Sequence, residues 1–430
     1  MKPAAMRCLL GCTATALVLT ATNAAGGAFQ LNERSAKSQG MSFADSVSGA
    51  KDPSYAGFNP AALTKVQGLQ MSGNASGVFP ISDGETTEPI FNGEPISRDD
   101  APAGFELDTN ADRSGFIPAN AIGYRLNEDV AIGITVNAPF GLSTENPDNF
   151  VGAADGIQSN LLTVNVSPAI AWTVSDKFAL GASVNILYLD ARLTSTPIAL
   201  DGDSAEIGYS VGTLIEPLDG TQIGIAYHSG YDFEVNVEAI LSPEAPGFLG
   251  GLAGQEFDAA VEASLPATFQ AGITQEIGEN ARLSAEFRYI FWSAFDSIDT
   301  TLFGITVEDP QNYEDAIFAA VGGEYDLTPT TTLRAGMAWD QSPTVDTTSL
   351  ADEDLGRTVR VPDADRLWFS VGASHKMELF GFDTELDVAY SYLLALQDPE
   401  VVIRAGPFEG TTVEYEGGAH IFSVGGSIRF

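Results

Sequence analysis

Cysteine is almost missing from this chain. Cys8 and Cys12 are its two cysteines, and both fall within the first 25 residues. Lys2 and Arg7 give that stretch a positive start, Leu9 to Thr20 an apolar run, and Thr22-Asn23-Ala24 or Asn23-Ala24-Ala25 a small-residue cleavage site. This is the pattern of a secretory signal peptide, residues 1–25, whose apolar run is too short to span a bilayer. Leu9-Leu10-Gly11-Cys12 looks like a lipoprotein box but precedes most of the apolar run, so no lipid anchor is expected. Once the signal is removed no thiol remains, which excludes disulfides, thiolate catalysis and cysteine-ligated metals.

Positive charge is scarce too: 20 lysines and arginines stand against 58 acidic residues, a net charge of −38 that grows more negative without Lys2 and Arg7. Nucleic acid is therefore excluded as a partner. The acids are clustered, for example over 83–94, 99–112, 201–206 and 352–354, mostly between apolar, alternating blocks. Long hydrophobic runs are absent as well. Nothing after the signal approaches the roughly 18 uninterrupted apolar residues of a membrane helix, so any membrane must be crossed by strands.

The alternation is what is present. Leu162, Val164, Val166, Pro168, Ile170, Trp172 and Val174 interleave with Thr163, Asn165, Ser167, Ala169, Ala171 and Thr173. A strand with lipid on one side and a polar lumen on the other has this period of two. The same pattern predicts fourteen strands, near 67–79, 114–126, 130–142, 160–174, 178–193, 206–216, 221–238, 259–275, 281–296, 314–326, 331–340, 366–377, 382–396 and 415–430. Short turns such as Asn127-Glu128-Asp129 and Ser175-Asp176-Lys177 alternate with long connections over 80–113, 143–159, 194–205, 239–258, 297–313, 341–365 and 397–414. Such alternation marks an outer-membrane barrel, with short turns on the periplasmic side; a soluble β-sandwich would mix turn lengths at both ends. The chain ends on an alternating strand with a terminal aromatic, Phe430, typical of the closing strand of bacterial barrels and an assembly signal. Tyr124, Trp172, Tyr188, Tyr227, Phe291, Tyr325 and Trp339 lie near strand ends and suit interfacial girdles.

Residues 26–66 do not share this period. They are small, polar and glycine-dotted, with a fixed bend at Asn59-Pro60. A closed barrel has no free edge for them to join. The expected architecture is thus all-β: a 14-stranded antiparallel transmembrane β-barrel over 67–430 with an N-terminal hatch, 26–66, inside the lumen.

Several ordered patches resemble the FadL family of outer-membrane channels for long-chain fatty acids and other hydrophobic compounds, which includes the aromatic-hydrocarbon channels of the TodX type. They are Ala28 to Glu33, Asn59-Pro60-Ala61, Pro139 to Leu142, Phe291 to Phe295, Gly336 to Pro343 and Pro362 to Trp368. The resemblance runs from Ala28 to Phe430. It implies passive uptake across the bacterial outer membrane: a lumenal pocket near the mature N-terminus, hatch movement, and sideways exit through a break in the third strand. It nominates Phe29 and Leu31 for the pocket, Asn59, Pro60 and Ala61 as the hatch anchor, and Pro139, Phe140 and Gly141 for the lateral opening. It also implies a monomer, with lipopolysaccharide, outer-membrane lipid and the barrel assembly machinery as partners.

By strand phase, Arg288, Arg334, Asp340 and Arg366 face the lumen. A lumenal arginine suits a fatty acid carboxylate through a charge-assisted fork, while an internal Asp–Arg network bracing the hatch is the plainer reading. An aromatic-hydrocarbon channel would need only an apolar pocket, and a general porin for hydrophilic solutes would need an open lumen. Catalysis is not expected. His228 is lumenal in phase, His375 lies beside the lipid phase of Val371 and Ala373, His420 points outward, and none is near a recognisable triad. No loop has the spaced carboxylates and glycine of a calcium site, so neither metal nor cofactor is expected.

Overall fold

A computed structural model describes residues 27–111, 113–245, 251–345 and 357–430. Among them, fourteen antiparallel strands close into a barrel. In chain order these are β1 (Leu69–Glu88), β2 (Gly115–Arg125), β3 (Val130–Asn137, resuming at Gly141–Glu145), β4 (Gln158–Ser175), β5 (Phe178–Thr194), β6 (Ile198–Leu218) and β7 (Thr221–His228 with Tyr231–Leu241). Then follow β8 (Glu256–Leu265 with Thr268–Ile277), β9 (Ala281–Ile290 with Ser297–Leu302), β10 (Ile305–Pro310 with Ala316–Thr328), β11 (Thr331–Asp340), β12 (Arg366–Leu379), β13 (Phe382–Ala395) and β14 (Thr412–Arg429). β1 pairs with β14 from Gln70↔Arg429 to Glu88↔Thr412, which leaves the sheet without an edge.

Lower in the barrel the polarity follows the expected phase. On β4, Thr163, Asn165 and Ser167 are buried inside, whereas Ile170 and Trp172 are exposed on the lipid face. Towards the extracellular end it inverts. On β7, Tyr231, Phe233, Val235, Val237, Ala239 and Leu241 are buried while Asp232, Glu234 and Glu238 are exposed. The outer surface there is wet and acidic, and the inner surface is apolar. The strands thus continue beyond the bilayer, which corrects one expectation: instead of a long connection over 194–205, β5 and β6 are separated only by 195–197. Likewise, much of 297–313 is a β-hairpin, Ser297–Leu302 against Ile305–Pro310. Acidic residues alternating with apolar ones belong to strands above the membrane as well as to loops.

Inside the barrel lies the segment from Gly27 to Val66. It holds one helical turn, Ala36–Gln39, and two 3₁₀ turns, Pro53–Gly57 and Pro60–Lys65. Each 3₁₀ turn starts on a capping side chain: Asp52 accepts from the Ser54 amide, and Asn59 from the Ala61 amide. Most of the segment is buried. Wall glycines let its backbone approach so closely. A Cβ at Gly181 would overlap the Pro60–Ala61 peptide, one at Gly212 the Asn59 side chain, one at Gly224 the Val47 carbonyl, and one at Gly336 the Met41 backbone. The hatch and this inner ring of glycines are in close contact. The signal peptide, Gly26 and the acidic cluster at 352–354 lie outside the described residues.

Candidate functional site: a hatch joined to a broken wall strand

β3 is interrupted at Ala138-Pro139-Phe140, all three buried. Before the break it pairs with both β2 and β4; after it, Gly141–Glu145 pairs with β4. The stretch of β2 from Gly115 to Ala119, paired to β1, has no ladder partner on its β3 side among the described residues. Proline explains the interruption, since Pro139 has no amide to give to a neighbouring strand. Thr163 on β4 holds the inward turn: the Phe140 amide donates to its Oγ1 at 3.1 Å, and its hydroxyl donates to the Phe140 carbonyl at 2.5 Å.

The start of the hatch binds to this turn. The Leu31 amide donates to the Pro139 carbonyl at 2.8 Å, and the Gly141 amide donates to the Phe29 carbonyl at 2.9 Å, making an isolated antiparallel bridge at Gln30↔Phe140. Asp363 anchors the hatch just upstream, accepting from the Ala28 amide at 2.8 Å and from Ser342 Oγ at 2.7 Å.

Phe29 sits in an aromatic box. Its ring lies 4.8 Å from Trp292 and 5.3 Å from Phe295, edge-on to both, and 6.2 Å from Phe140. Tyr313 closes the far side against Phe295 at 4.9 Å. Trp292 and Phe295 reach inward because β9 leaves its ladder in a 3₁₀ turn at Trp292–Ala294. The box continues into the apolar upper wall through Leu187, Tyr231, Phe233 and Val235. Leu31 does not join it: it packs in a separate cluster with Met41, Phe43 and Phe58, inside the hatch and against the wall.

The remaining sequence candidates lie in the hatch or in the polar contacts around it. Asn59 Nδ2 donates to the Val47 carbonyl at 2.8 Å and to the Thr213 carbonyl of β6 at 2.9 Å, and Pro60 and Ala61 pack beneath it against Gly181. Arg288 pairs with Glu286 at 2.6 Å, donates to Asn32 Oδ1 and Ser46 Oγ, and covers the Phe318 ring at 4.6 Å. Arg334 pairs with Glu324 at 2.9 Å, and Glu324 also accepts from the hatch's Lys51 at 2.7 Å. Arg366 pairs with Asp363 at 2.6 Å. Asp340 accepts from Trp368 Nε1 at 3.2 Å and lies against Gly27. These three arginines all have carboxylate partners.

Two further hatch contacts come from His228, which strand phase places in the lumen, and from Arg34, which lies on no strand. His228 on β7 donates from Nε2 to the Phe58 carbonyl at 2.9 Å while Nδ1 accepts from Ser210 at 2.7 Å, in the tautomer these partners require. Arg34 donates to the Gly57 carbonyl and lies 5.1 Å over the Phe58 ring. His375 is exposed in phase with Val371, not one step away from it.

Residues 17–430 match the family described as "Outer membrane protein transport protein (OMPP1/FadL/TodX)". The chain belongs to this family. It is 27% identical to the 47 kDa outer membrane protein of Pasteurella multocida, over 88% of this chain and 90% of that one. It is 23% identical to the long-chain fatty acid transport protein of Escherichia coli K12, over 97% of each. A Pseudomonas aeruginosa FadL homologue has the same fold, with a TM-score of 0.81, 21% identity and coverage of 93% of this chain and 99% of that one. The Pseudomonas putida toluene transporter TodX is similar at a TM-score of 0.65 and 15% identity, over 95% and 99%. This FadL-family chain is therefore an outer-membrane transporter of hydrophobic compounds and not an enzyme.

Proposed function

We propose that the chain takes up long-chain fatty acids or similar hydrophobic molecules passively, by ligand displacing Phe29 from the aromatic box. The observation that carries this reading is the bridge at Gln30↔Phe140, which ties the segment bearing Phe29 to the broken part of β3. A ligand in the box moves Phe29, the bridge to Pro139 and Gly141 shifts with it, and the gap beside Gly115–Ala119 becomes a sideways exit into the outer membrane. In this reading residues 26–66 are the hatch, Asn59-Pro60-Ala61 its fixed end, and Phe29 its moving end. The protein works as a monomer in contact with lipopolysaccharide and outer-membrane lipid after insertion by the barrel assembly machinery. A porin reading fits poorly with a lumen packed with buried hatch residues.

Monoaromatic hydrocarbons are the second reading, favoured by the edge-to-face geometry of the box, which suits a flat ring. Uptake of radiolabelled oleate and toluene by cells lacking their own channels, with and without this chain, separates the two. Faster oleate uptake supports the first reading, toluene alone the second, and neither overturns both.

A further inference from the structure

β3 carries one extra residue at its break. Its register to β4 runs to Asn137↔Asn165 below the break and resumes at Gly141↔Leu162 above it, so four steps on β3 match three on β4. This is a β-bulge, which interrupts a ladder locally. Towards β4 the interruption is local. Towards β2 the ladder stops at Asn120↔Val136 and does not resume among the described residues. Above the gap the two sides meet again through an ion pair, Arg113 Nε to Glu145 Oε2 at 2.8 Å. The bulge alone does not account for an opening on one side only, so part of the cause lies in β2.

Hydrogen-bond phase locates it. The Leu126 amide donates to the Val130 carbonyl at 2.9 Å, beside the pair Tyr124↔Ile132. Bonded partners in an antiparallel ladder recur at every second residue, so Tyr124, Ile122 and Asn120 turn their main-chain groups towards β3. From the opposite side, the Arg125 amide donates to the Gly68 carbonyl at 3.0 Å, and an unbroken register assigns the odd-numbered residues of β2 to β1. Counted on in the same register, the next bonded rung towards β3 is residue 118 opposite Ala138. Residue 118 is Pro118, which has no amide to donate. The rung after it, Phe116 opposite Phe140, is withheld by the other strand, because Thr163 already holds both main-chain groups of Phe140.

A proline by itself does not open the wall. At Pro168 the pairing of β4 with β5 is interrupted between Val166↔Ile186 and Ala169↔Ser183, yet the register is the same on both sides. At Pro118 the missing donor falls beside the bulge, and no pairing follows.

We propose that Pro118 is a positioning residue that keeps the sideways gap open by withholding the amide that would extend the β2–β3 ladder across it. The inference rests on the sideways-exit reading and assigns the lower edge of the opening to β2, the strand that is not itself broken. An amide at residue 118 adds one rung and covers two further residues, about 7 Å, of the gap.

Pro118→Ala and Pro118→Val both restore that amide but differ in side-chain bulk, and Pro168→Ala restores one away from the gap. Hydrogen exchange of the purified full-length protein in detergent micelles is read at residue 118, with Asn120 as the bonded reference and Phe116 as the unbonded one. Oleate uptake is read in cells lacking their own channels. Both variants at residue 118 are expected to exchange there about as slowly as at Asn120 and to lower uptake about two- to tenfold, the net contribution of one hydrogen bond. Pro168→Ala should stay within about twofold of the unmodified chain. Exchange at residue 118 as fast as at Phe116 would overturn the inference, and so would an equal fall in uptake for Pro168→Ala. Slow exchange with undiminished uptake would overturn the sideways exit and, with it, the part of Pro118 in transport. If the unmodified chain carries no oleate, the uptake reading fails, and exchange at residue 118 alone decides whether Pro118 holds the ladder open.

Discussion

The main-chain amide of Leu31 donates to the carbonyl of Pro139 at 2.8 Å, so the beginning of the hatch is hydrogen-bonded to the interruption in the barrel wall. With the return bond from Gly141 to Phe29, the two features form one mechanical unit. Neither residue needs a special side chain for this, because the contact is between backbones. What the side chains decide is when it breaks: Phe29 is held by three aromatic neighbours, and Phe140 by Thr163.

Phe29→Ala removes the ring that fills the box. Truncating a buried aromatic costs on the order of 3–5 kcal/mol of local packing, partly recovered by collapse. Oleate uptake is expected to fall several-fold, while the barrel keeps its heat-resistant, compact mobility on gels. Unchanged uptake would remove Phe29 from the proposed route.

Gly224→Ala places a Cβ into the Val47 carbonyl, and Gly181→Ala places one into the Pro60–Ala61 peptide. Overpacking of this kind costs about 1–3 kcal/mol, and it falls on the hatch because the wall is held by continuous ladders. Single-channel recordings in planar bilayers should show larger or more frequent conductance steps than the unmodified protein. Recordings indistinguishable from it would mean that the hatch has slack that the close contacts do not suggest.

How much of this was readable in the sequence depends on what kind of contact is involved. The period of two places every wall residue in or out, so β1 to β14 and the lumenal phase of Arg288, Arg334, Asp340 and Arg366 followed from it. Pro60 announced its bend, whereas the strand expected over 130–142 ran through Pro139, and the break there was implied only by the family resemblance. Hatch residues have no period, so nothing in the chain told Arg34, which donates to the Gly57 carbonyl, from Lys37, buried between Asp52, Glu385 and Asp387. The wall glycines were legible only as weak strand residues; their role depends on which hatch atom lies opposite. The inverted upper wall was missed because its acids looked like loops. The strict alternation of Tyr231 to Leu241 was the signal available.

Glu33 gives the hatch a pH dependence. Its carboxyl is buried, with Oε1 unpartnered, and burial raises it from 4.5 to about 7. A carboxyl that holds its proton more tightly when folded adds stability that is fully present below about 4.5 and is lost as pH rises through about 7. Conductance recordings at pH 5.5 and pH 8 should show a looser hatch at pH 8, and Glu33→Gln should flatten the difference. A hatch that is tighter at pH 8 would contradict the assignment.

Thr163→Val deletes both hydrogen bonds that hold the Phe140 peptide, leaving buried backbone groups unpaired at a cost of about 1–3 kcal/mol each. The inward turn of β3 should exchange its amide protons faster, first at Phe140 and Gly141. Protection equal to that of the neighbouring ladder would show that the turn is held by something else.

The most direct test of hatch and wall acting together uses the absence of cysteine from residues 13–430. Gln30 and Phe140 are a non-hydrogen-bonded antiparallel pair, flanked by the bonds from Leu31 and Gly141, a geometry within reach of a disulfide. With Gln30→Cys and Phe140→Cys in one chain, oleate uptake by cells is measured after oxidation and again after reduction. Loss of uptake when the bridge is closed, with recovery on reduction, is the expected result. Uptake that continues unchanged with the hatch covalently fixed to the wall would contradict it.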